Sequence, residues 1–413
     1  MRTIEHARET DHLGRYYTQR EISQLLVGLL PTHSSSSLLD LGAGEGSLSV
    51  AASSKWTDIE LVTVDVDRDA SRVLSMRLKE GGFRGKHHHL AHDALGTGLQ
   101  SLLSDRAIGP LGVAVCNPPF LVPRWRKEYG QILEDAGFSG SLPAITSTDA
   151  AVLFLAQNLR LLATGGGLGI IVPDSLVCAE KYLGFRASLL QNYDVVQAIR
   201  LPRGSFTGTD ALAHILVVSK KQPTCSSIRL SCLASADGPL QTIHVERELA
   251  VRRLDYSYHA AEVTSGTTVL RLKDVVINLR RGSLNSAEVR ASTSFVLHTT
   301  NIDANMRGSW LDFDKRSFKP GAISGSATIA EAGDVVVGRV GRNAAEKVIG
   351  IAKGRVALSD CLFRLRVQTE HREQVLRSIT SENGKRWMEM HAYGVAARHI
   401  SKNDLLNLPL DCP

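Results

Sequence analysis

Short apolar segments alternate with longer amphipathic ones through roughly the first 220 residues, and this alternation leaves the chain few folds. The short segments are rich in β-branched residues, as strands are, and the longer ones carry apolar residues at three- and four-residue spacing, as helices do. This order predicts a doubly wound α/β domain built on a mixed, mostly parallel sheet. The predicted strands are Leu38–Leu41, Glu60–Asp65, Val113–Asn117, Leu168–Val172, Val195–Leu201 and Ala213–Ser219, and the predicted helices are Glu21–Leu30, Asp69–Glu80, Ala150–Leu162 and Lys181–Gln191.

A second, smaller domain is indicated by the change in character after Lys221, where turn-forming residues precede a strand-rich region. We predict an α+β domain there. Its expected elements are short strands over Phe295–Thr299, Val335–Val340 and Val348–Ile351 and a helix over Arg372–His391. The predicted boundaries are residues 1–235 for the first domain, 236–265 for a connecting segment and 266–413 for the second domain.

The positive charge of the chain is concentrated beyond residue 220. Residues 1–220 carry 21 basic and 22 acidic side chains, which leaves 27 basic and 20 acidic ones in the rest of the chain. A surplus of this size suits a surface that binds a polyanion, because neutralising phosphates releases counterions. A solvated basic surface explains it equally well, so charge alone does not decide between the two.

Other features bear on compartment and metal binding. No stretch approaches the length of unbroken apolar sequence that crosses a bilayer, and the charged N-terminus lacks the apolar core of a secretory signal. We therefore expect a cytoplasmic protein with no membrane contact. The six cysteines form no CxxC pair, and His87, His88, His89 and His92 fit no common zinc spacing, so no metal is expected.

A glycine-rich turn follows the first predicted strand, where the segment from Asp40 to Gly46 has the sequence Asp-Leu-Gly-Ala-Gly-Glu-Gly. Backbone N–H groups in such a turn can approach a ligand closely, since no Cβ stands in the way. Nicotinamide-binding domains share the pattern, and a turn that is tight for structural reasons alone also produces it. The turn therefore indicates a nucleotide-like ligand without identifying it.

Two carboxylates narrow the choice of ligand. Asp65 ends the next predicted strand, about twenty residues after the glycines, where a carboxylate accepts both hydroxyls of a ribose. Asp93 lies between the predicted strands Glu60–Asp65 and Val113–Asn117, after a further strand that the fold is expected to have there. At this position a carboxylate can accept from the amine of an adenine, although a helix-capping role fits it equally well. Asp65 suits any adenosine-bearing cofactor, whereas Asp93 and the segment Asn117–Phe120 favour S-adenosylmethionine over a dinucleotide.

The strand that begins at Val113 runs into Asn117, Pro118, Pro119 and Phe120, which together form an NPPF segment. An exocyclic amine is a poor nucleophile, because its lone pair is delocalised into the ring. The side-chain oxygen of Asn117 and the carbonyl of Pro118 can accept the two amine protons, which aims the lone pair at a methyl group. The prolines stiffen the turn, and Phe120 offers a flat face for an extruded base. The segment thus predicts direct methyl transfer to an amine.

With these motifs in this order, the sequence resembles the amino-group DNA methyltransferases, in which a recognition domain follows the cofactor and catalytic motifs. The match covers most of residues 12–220. That family carries a GxYYTP-like motif before the glycine turn; here Gly14, Tyr17 and Thr18 fit it, while Gln19 replaces its proline. The resemblance implies a Rossmann-like, S-adenosylmethionine-dependent enzyme that methylates the N6 amine of a flipped-out adenine in duplex DNA, within a restriction–modification or epigenetic system.

The resemblance also implies roles for single residues. Asp40 and Gly42 would contact the methionine portion of the cofactor, Asp65 its ribose and Asp93 its adenine. Phe206 matches an aromatic residue that packs on the flipped base, although without the family it fits a core position better. The implied catalytic residues are Asn117, Pro118, Pro119, Phe120 and Phe206, and the implied cofactor-binding residues are Tyr17, Thr18, Asp40, Gly42, Gly44, Asp65, Val66, Asp93, Ala94 and Asn117.

The C-terminal region resembles, more diffusely, the target-recognition domains of type I restriction specificity subunits. The likeness rests on three places, which are Leu272–Val275 with Gly282, Gly333–Arg339, and Gly394 with Ile400, Ser401, Leu405 and Leu408. Cations near predicted turns can reach phosphates or guanine edges, although each alone is more often a solvated charge. The candidate DNA-contacting residues, including three that follow the catalytic turn, are Arg124, Trp125, Arg126, Arg280, Arg281, Arg339, Arg342 and Lys347.

Several alternatives stay open on sequence alone. The NPPF segment also occurs in methyltransferases that act on guanine amines of ribosomal RNA and in those that act on glutamine side chains of release factors. Cytosine-N4 enzymes use a similar turn, commonly with serine in place of Asn117. A DNA-binding component that holds the cofactor without catalysis is a third hypothesis. The expected partner is double-stranded DNA, and restriction would require a separate endonuclease or another defence-system subunit.

Overall fold

A nine-stranded sheet is the centre of the first of two units into which the chain divides, Met1–Tyr256 and Ser257–Pro413. This computed structural model describes residues 18–31, 37–106, 108, 110–142, 144–206, 211–235, 238–264, 270–316, 327–341, 343–395 and 397–411. The elements of the first unit are α1 (Arg20–Leu29), β1 (Ser37–Leu41), α2 (Ser47–Lys55), β2 (Glu60–Asp65), α3 (Ala70–Glu80), β3 (His87–Ala91), α4 (Leu99–Asp105), β4 (Leu111–Cys116), α5 (Glu128–Asp135), α6 (Ala150–Leu161), β5 (Leu162–Pro173), α7 (Asp174–Cys178), α8 (Leu183–Asn192), β6 (Asp194–Arg200), β7 (Ala213–Ser219), β8 (Ser227–Leu233), β9 (Leu240–Glu246) and α9 (Arg247–Ala250).

The order of the strands determines where a ligand can bind. That order is β3-β2-β1-β4-β5-β7-β6-β8-β9, and the first five strands in it are mutually parallel. β7 runs antiparallel between β5 and β6, β8 is parallel to β6, and β9 is antiparallel to β8. The chain moves outward through β2 and β3 on one side of β1 and resumes at β4 on the other side. A crevice therefore opens at the carboxyl ends of β1 and β4.

The central strands are buried on both faces, as is typical of a parallel sheet covered by helices. Every residue of β1 is buried, and so is Val113–Cys116 of β4. Ile22 and Leu48 pack into the same core from α1 and α2, and α6 is buried along Ala150–Leu159. Close packing on both sides holds the carboxyl ends of these strands in fixed positions.

The predicted α/β architecture is confirmed. β2 and β7 have the predicted bounds, and the other predicted strands of this unit overlap observed ones. One predicted boundary is wrong: the expected connecting segment, residues 236–265, contains β9, which pairs with β8 along its length. β9 is largely exposed, so its sequence lacks the apolar signature of a core strand. The first unit consequently extends to Tyr256.

The second unit has the α+β composition expected of it. Its elements are α10 (Tyr256–Thr264), α11 (Leu272–Val275), β10 (Val276–Arg281), α12 (Ser286–Ala291), β11 (Val296–Leu297), β12 (Trp310–Asp312), β13 (Ile329–Glu331), β14 (Asp334–Gly338), β15 (Val348–Lys353), β16 (Arg355–Leu358), β17 (Leu362–Val367), α13 (Arg372–Thr380), α14 (Glu382–His391) and α15 (Lys402–Leu406). The strands form a five-stranded sheet of order β10-β17-β14-β15-β12 and a three-stranded sheet of order β11-β16-β13. Throughout the described part of both units, every helix is too short or too polar to pass through a lipid bilayer.

Successive side chains of β14 point to opposite faces of the five-stranded sheet, and both faces are apolar. Val335 and Val337 belong to a core that includes Trp387 of α14, whereas Val336 packs in a separate core with Val356 of the three-stranded sheet. The five-stranded sheet thus lies between a helical layer and a second small sheet.

The helix predicted over Arg372–His391 is in fact two helices, α13 and α14. Ser381 between them has extended backbone angles (φ −64°, ψ 162°), and its hydroxyl accepts a hydrogen bond from the N–H of Gly384 at 3.1 Å. Serine favours this N-cap position because it satisfies a backbone donor that the helix itself cannot satisfy. The strand predicted over Phe295–Thr299 is likewise shorter, since only Val296–Leu297 pairs with a neighbour.

Candidate cofactor and catalytic site

The turn after β1 adopts backbone angles that favour glycine. Gly42 and Gly46 have φ angles of +73° and +79°. The N–H of Gly42 donates to the carbonyl oxygen of Val64 at 2.8 Å, which holds the turn against β2. A Cβ at Gly46 would lie 2.1 Å from Cδ1 of Leu74 on α3. Both the conformation and the close approach of α3 therefore require glycine at position 46.

Asp65 at the end of β2 holds this turn from the other side. Its Oδ2 accepts a hydrogen bond from the N–H of Gly44 at 2.7 Å, and its Oδ1 accepts from the N–H of Asp67 at 2.8 Å. Each carboxylate oxygen has two lone pairs, so both can accept a further hydroxyl donor. The predicted ribose contact is compatible with this geometry, and shaping the turn is an additional role that the sequence did not suggest.

Asp40 supplies a buried carboxyl group directly beneath the turn, with only 1% of its surface exposed. Burial raises the pKa of Asp40 from 3.8 to about 7; a hydrogen bond from the Ser49 hydroxyl to Oδ2 at 2.6 Å opposes the rise, and the charge of Asp65 adds to it. A carboxyl group in this state ionises readily when a positive group approaches. This property suits contact with a cationic ligand.

A cavity of about 300 Å³ lies at the carboxyl ends of β1, β2 and β4, within the size range of small-molecule sites. The described residues predicted to bind cofactor all line it, namely Thr18, Asp40, Gly42, Gly44, Asp65, Val66, Asp93, Ala94 and Asn117. Tyr17 lies outside the described residues. Five separate segments of the sequence therefore meet at one cavity.

Asn117 is positioned by a residue far away in the sequence. Its Nδ2 donates a hydrogen bond to Oγ1 of Thr18 at 2.9 Å. Because the side-chain amide has one donor end and one acceptor end, this contact fixes the orientation of the carbonyl oxygen Oδ1. Asn117 and Pro119 line the cavity, whereas Pro118 is buried behind them.

Gln19, which replaces the proline of the related motif, ties this arrangement to the segment after β6. Its backbone N–H donates to the carbonyl of Ser205 at 3.3 Å, and its Nε2 donates to the carbonyl of Gly204 at 2.6 Å. Thr18 and Phe206 form an isolated antiparallel bridge beside these bonds. Proline lacks the N–H that makes the first bond, so Gln19 gains a connection that the related motif lacks.

Phe206 lies in the core next to the catalytic turn. Its ring is 2% exposed, belongs to the core and lies edge-on to Phe120, with 6.1 Å between the ring centroids. Phe206 is not among the described residues that line the cavity, and its packing on a flipped base stays a prediction. The structure gives it a supporting position behind Phe120, which is only half-buried. This outcome agrees with the core position that its local sequence favours.

Arg126 was expected to contact DNA, but it lines the cavity. Its Nη2 forms a 2.7 Å salt bridge with Oδ2 of Asp93, the residue expected to contact the cofactor adenine. The other two candidates in this segment differ: Arg124 is exposed, and Trp125 packs edge-on to Tyr129. Three neighbouring residues that the sequence grouped together thus have three different environments.

Several residues of the cavity wall carry no recognisable sequence signal. Phe154 is the clearest case, since α6 is buried on all sides along Ala150–Leu159 and no periodicity marks the side that meets the cavity. Its Cε1 atom would lie 3.3 Å from a Cβ at position 42. The wall residues that were not predicted to bind cofactor are Ala43, Glu45, Gly46, Ser47, Leu48, Leu95, Pro119, Leu121, Pro123, Arg126, Tyr129, Ala150 and Phe154.

The candidate DNA-contacting residues of the second unit that the structure describes differ in their partners. Arg281 and Arg339 converge on Asp360: Arg281 forms a 2.6 Å salt bridge with its Oδ2, and Nε of Arg339 donates to its carbonyl at 2.8 Å. Arg280 precedes Arg281 in β10 and therefore points to the opposite face. Lys347 donates to the backbone carbonyl of Ile302. Arg342 lies outside the described residues.

Two groups of potential metal ligands have other partners. His87 and His89 approach Oγ1 of Thr63 at 2.9 and 3.0 Å. Asp174, Cys178 and His214 are buried with their ligand atoms within 4.8 Å of one another, but His214 also contacts Asp255, which lies 3.5 Å from Arg200. The guanidinium supplies positive charge beside these carboxylates, which is typical of a buried ion-pair cluster.

Comparison with known proteins relates the first unit to one protein family. A model of the N-6 DNA Methylase family matches residues 4–247, which is more than half of the chain. The match therefore includes the glycine turn, the NPPF segment and the strands up to β9.

Among solved structures, the type IIG restriction endonuclease BpuSI has a TM-score of 0.56 and 14% identity, and the alignment covers 97% of this chain and 59% of that one. A modification subunit of a putative type I restriction enzyme from Vibrio vulnificus YJ016 has a TM-score of 0.43 and 20% identity over 56% of this chain and 49% of that one. A type I restriction-modification system methyltransferase subunit from Streptococcus thermophilus gives 0.44 and 19% over 54% and 48%. At this identity the likeness to BpuSI concerns the fold, and this chain spans 59% of that chain's length.

Replacing Gly46 with alanine is expected to destabilise the first unit by about 3 kcal/mol, since it combines overpacking with an unfavourable positive φ. Gly44→Ala is the matched control, because Gly44 also has a positive φ (+50°) but its Cβ would meet nothing within 4 Å. That variant should lose only about 1 kcal/mol. Urea unfolding of both variants measures the difference, and equal losses would show that Leu74 moves aside at no cost.

Asp40→Asn is expected to change the pH dependence of stability. Because the pKa of Asp40 is about 7 in the folded protein and 3.8 in its ordinary state, ionisation destabilises the fold progressively from about pH 4 to pH 7 and by a constant amount above that. The ligand-free variant should therefore exceed the wild type in stability at pH 8 by a few kcal/mol, up to about 4. Urea unfolding from pH 5 to pH 8.5 tests this. A stability difference that stays constant over the range would contradict the raised pKa.

Gln19→Pro is expected to loosen the segment around Ser205. The φ of Gln19 is −62°, which proline adopts readily, so the change removes two hydrogen bonds without straining the backbone. Each bond contributes about 1 kcal/mol to local order. Hydrogen exchange in peptides spanning residues 201–206 should be fastest in Gln19→Pro and intermediate in Gln19→Ala, which keeps the backbone bond. Identical exchange in all three proteins would exclude the connection.

Proposed function

Because the chain belongs to the N-6 DNA methylase family, we propose that it transfers a methyl group from S-adenosylmethionine to the N6 amine of an adenine in duplex DNA. The observation that carries the proposal is the 2.9 Å bond between Asn117 and Thr18. It aligns an amide carbonyl at the edge of a cavity whose other walls match an adenosine-bearing cofactor. Cofactor and amine acceptor thus occupy one site.

S-adenosylmethionine is the cofactor of this family, and the cavity fits it. Asp65 would hold the ribose hydroxyls and Asp93 the adenine amine, while Asp40 lies close to where the positively charged methionine end would be bound. When bound, the cofactor supplies a methyl group on a sulfonium, which a nitrogen lone pair can displace directly. A positive group near Asp40 would lower the raised pKa of that carboxyl group and favour its ionised form.

The residues of the chain act on the amine through hydrogen bonds. Oδ1 of Asn117 accepts one amine proton and the carbonyl of Pro118 accepts the other, so the nitrogen moves towards a tetrahedral geometry with its lone pair directed at the methyl group. Thr18 keeps the Asn117 amide from rotating away from this position. The proton leaves to water after transfer, and no covalent enzyme intermediate is formed.

The target base must leave the duplex to reach this position, because the stack otherwise shields the amine. Phe120 is half-buried next to the catalytic turn, and Phe206 supports it from behind. An aromatic ring held in this way gives the extruded adenine a surface on which to stack. The edge-on contact between the two rings limits rotation of Phe120.

The second unit is proposed to read the DNA sequence. Arg281 forms a salt bridge with the carboxylate of Asp360, and Arg339 donates to the backbone carbonyl of the same residue, so two guanidinium groups lie beside one negative charge. Burial and the nearby Arg281 lower the pKa of Arg339, which reflects this shortage of negative charge. A DNA phosphate or a guanine edge can supply it. The excess of basic residues beyond residue 220 supports the same assignment.

Restriction–modification is the proposed biological setting. The family to which the chain belongs and the restriction enzymes with similar structures support this setting. A separate restriction endonuclease, or another subunit of a defence system, is the partner that this setting implies. Co-purification of the tagged chain from its native host, followed by mass spectrometry, would identify such a partner.

Asn117→Ala is expected to lower the rate of methyl transfer at least about a hundredfold, because one acceptor of the amine protons is lost. The assay is base-resolved detection of N6-methyladenine in methylation-free duplex DNA after incubation with purified protein and S-adenosylmethionine. Methylated adenines that share one sequence context, present with the wild type and absent with the variant, are the expected result. Circular dichroism and urea unfolding of the variant provide the control for an intact fold.

The same assay separates the alternatives. N4-methylcytosine in place of N6-methyladenine would transfer the assignment to a different amine in the same site. If the protein transferred the methyl group to structured RNA but not to duplex DNA, the proposal would be replaced by RNA methylation. Tight cofactor binding without any transfer in a single turnover, on a confirmed target sequence, would indicate a DNA-binding component that does not catalyse.

A further inference from the structure

We propose that Arg126 is a cofactor-binding residue, which together with Asp93 closes the adenine end of the cavity, and that it does not contact DNA. The inference rests on the proposed function for the identity of the cofactor but not for the identity of the target base. It adds to the cofactor site a residue from the loop between the NPPF segment and α5.

The position of Arg126 is set by the helix that follows it. Tyr129 lies in the first turn of α5 and is only 3% exposed, so its ring is fixed. Nε of Arg126 donates to the Tyr129 hydroxyl oxygen at 2.8 Å, and the guanidinium carbon lies 4.7 Å from the ring centroid. These contacts hold a long, flexible side chain in one conformation along the cavity wall.

With its other end, Arg126 orients the carboxylate of Asp93. Its Nη2 lies 2.7 Å from Oδ2, while the backbone N–H of Leu95 donates to Oδ1 at 2.9 Å. A carboxylate held by a donor on each oxygen cannot rotate freely. Lone pairs remain on both oxygens, so the group can still accept a hydrogen bond from a ligand amine. Asp93, Arg126 and Tyr129 all line the cavity, so the contact forms part of its wall.

This geometry argues against a role at the DNA backbone. Two of the three guanidinium nitrogens already have partners within the protein, and a phosphate could bind either of them only by displacing Asp93 or the Tyr129 hydroxyl. The contact instead joins two loops, the one after β3 and the one between β4 and α5. Cofactor that fills the cavity between these loops would therefore also order the segment that follows the catalytic turn.

Recognition of the adenine amine is the expected consequence. An ionised carboxylate only accepts hydrogen bonds, so Asp93 favours a purine with an amine at position 6 over one with a carbonyl there. By fixing the carboxylate, Arg126 strengthens this discrimination. Arg126 thereby acts on cofactor specificity as well as on affinity.

The test measures binding of S-adenosylhomocysteine by calorimetry in the absence of DNA. Arg126→Ala should weaken it about tenfold, as expected for losing a charged hydrogen-bond partner, and Tyr129→Phe about threefold. Arg124→Ala is the matched control, since it makes the same change at an exposed position in the same segment, and its affinity should equal that of the wild type. Thermal unfolding of each variant checks the fold, and Tyr129→Phe keeps the test decisive should Arg126→Ala not fold.

A second measurement separates specific contact from general loosening. The wild type should prefer S-adenosylhomocysteine over S-inosylhomocysteine, in which a carbonyl replaces the amine, and this preference should shrink in Arg126→Ala and in Asp93→Asn but not in Arg124→Ala. Unchanged affinity and preference in Arg126→Ala, with weaker binding to duplex DNA, would overturn the inference and restore the DNA role. Failure of the wild type to bind S-adenosylhomocysteine at all would instead count against the cofactor site itself.

Discussion

The hydrogen bond between Oδ2 of Asp65 and the N–H of Gly44, 2.7 Å long, is the contact on which the rest of the site depends. β1 and β2 are parallel and in register, so the end of one strand lies beside the turn that follows the other. Together with the bond from the N–H of Gly42 to the carbonyl of Val64, it holds the turn against β2. Without it the glycine segment could follow several paths, since each glycine has access to both signs of φ. One carboxylate therefore shapes the cavity that it also lines.

The catalytic end of the cavity depends on contacts between distant parts of the sequence. Thr18 precedes α1, Asn117 follows β4 and Ser205 follows β6, yet hydrogen bonds through Thr18 and its neighbour Gln19 connect all three segments. Such contacts stabilise the site only when the whole sheet has formed, because loop closure over such separations is unfavourable in the unfolded chain. The geometry of Asn117 is thus a product of the complete fold. The prolines of the NPPF segment add local stiffness to a position that the fold as a whole determines.

What could be predicted from the sequence was carried by short, local patterns. The glycine turn, Asp65 at a strand end and the NPPF segment are features of a few adjacent residues, and all of them meet at the cavity. Features that depend on tertiary contacts could not be predicted in this way. Arg126 resembles any loop cation until Asp93 is placed next to it, and β9 is a polar edge strand that only pairing with β8 reveals. Ser381 breaks a helix although the apolar spacing continues through it.

The distribution of arginine partners shows why net charge is a weak guide to a binding surface. In β17, Arg366 forms salt bridges with Glu331 and Asp334, and Arg364 donates to Asn278, so both cations are used within the fold. Arg364 is also directly opposite Arg280 in the neighbouring strand, where like charges repel. The fold tolerates this repulsion because Arg364 is largely buried and has polar partners. At Asp360 two cations lie beside one carboxylate, so a bound anion would relieve a repulsion that is already present. Such a cation is therefore expected to bind an external anion more strongly than a cation that is merely exposed.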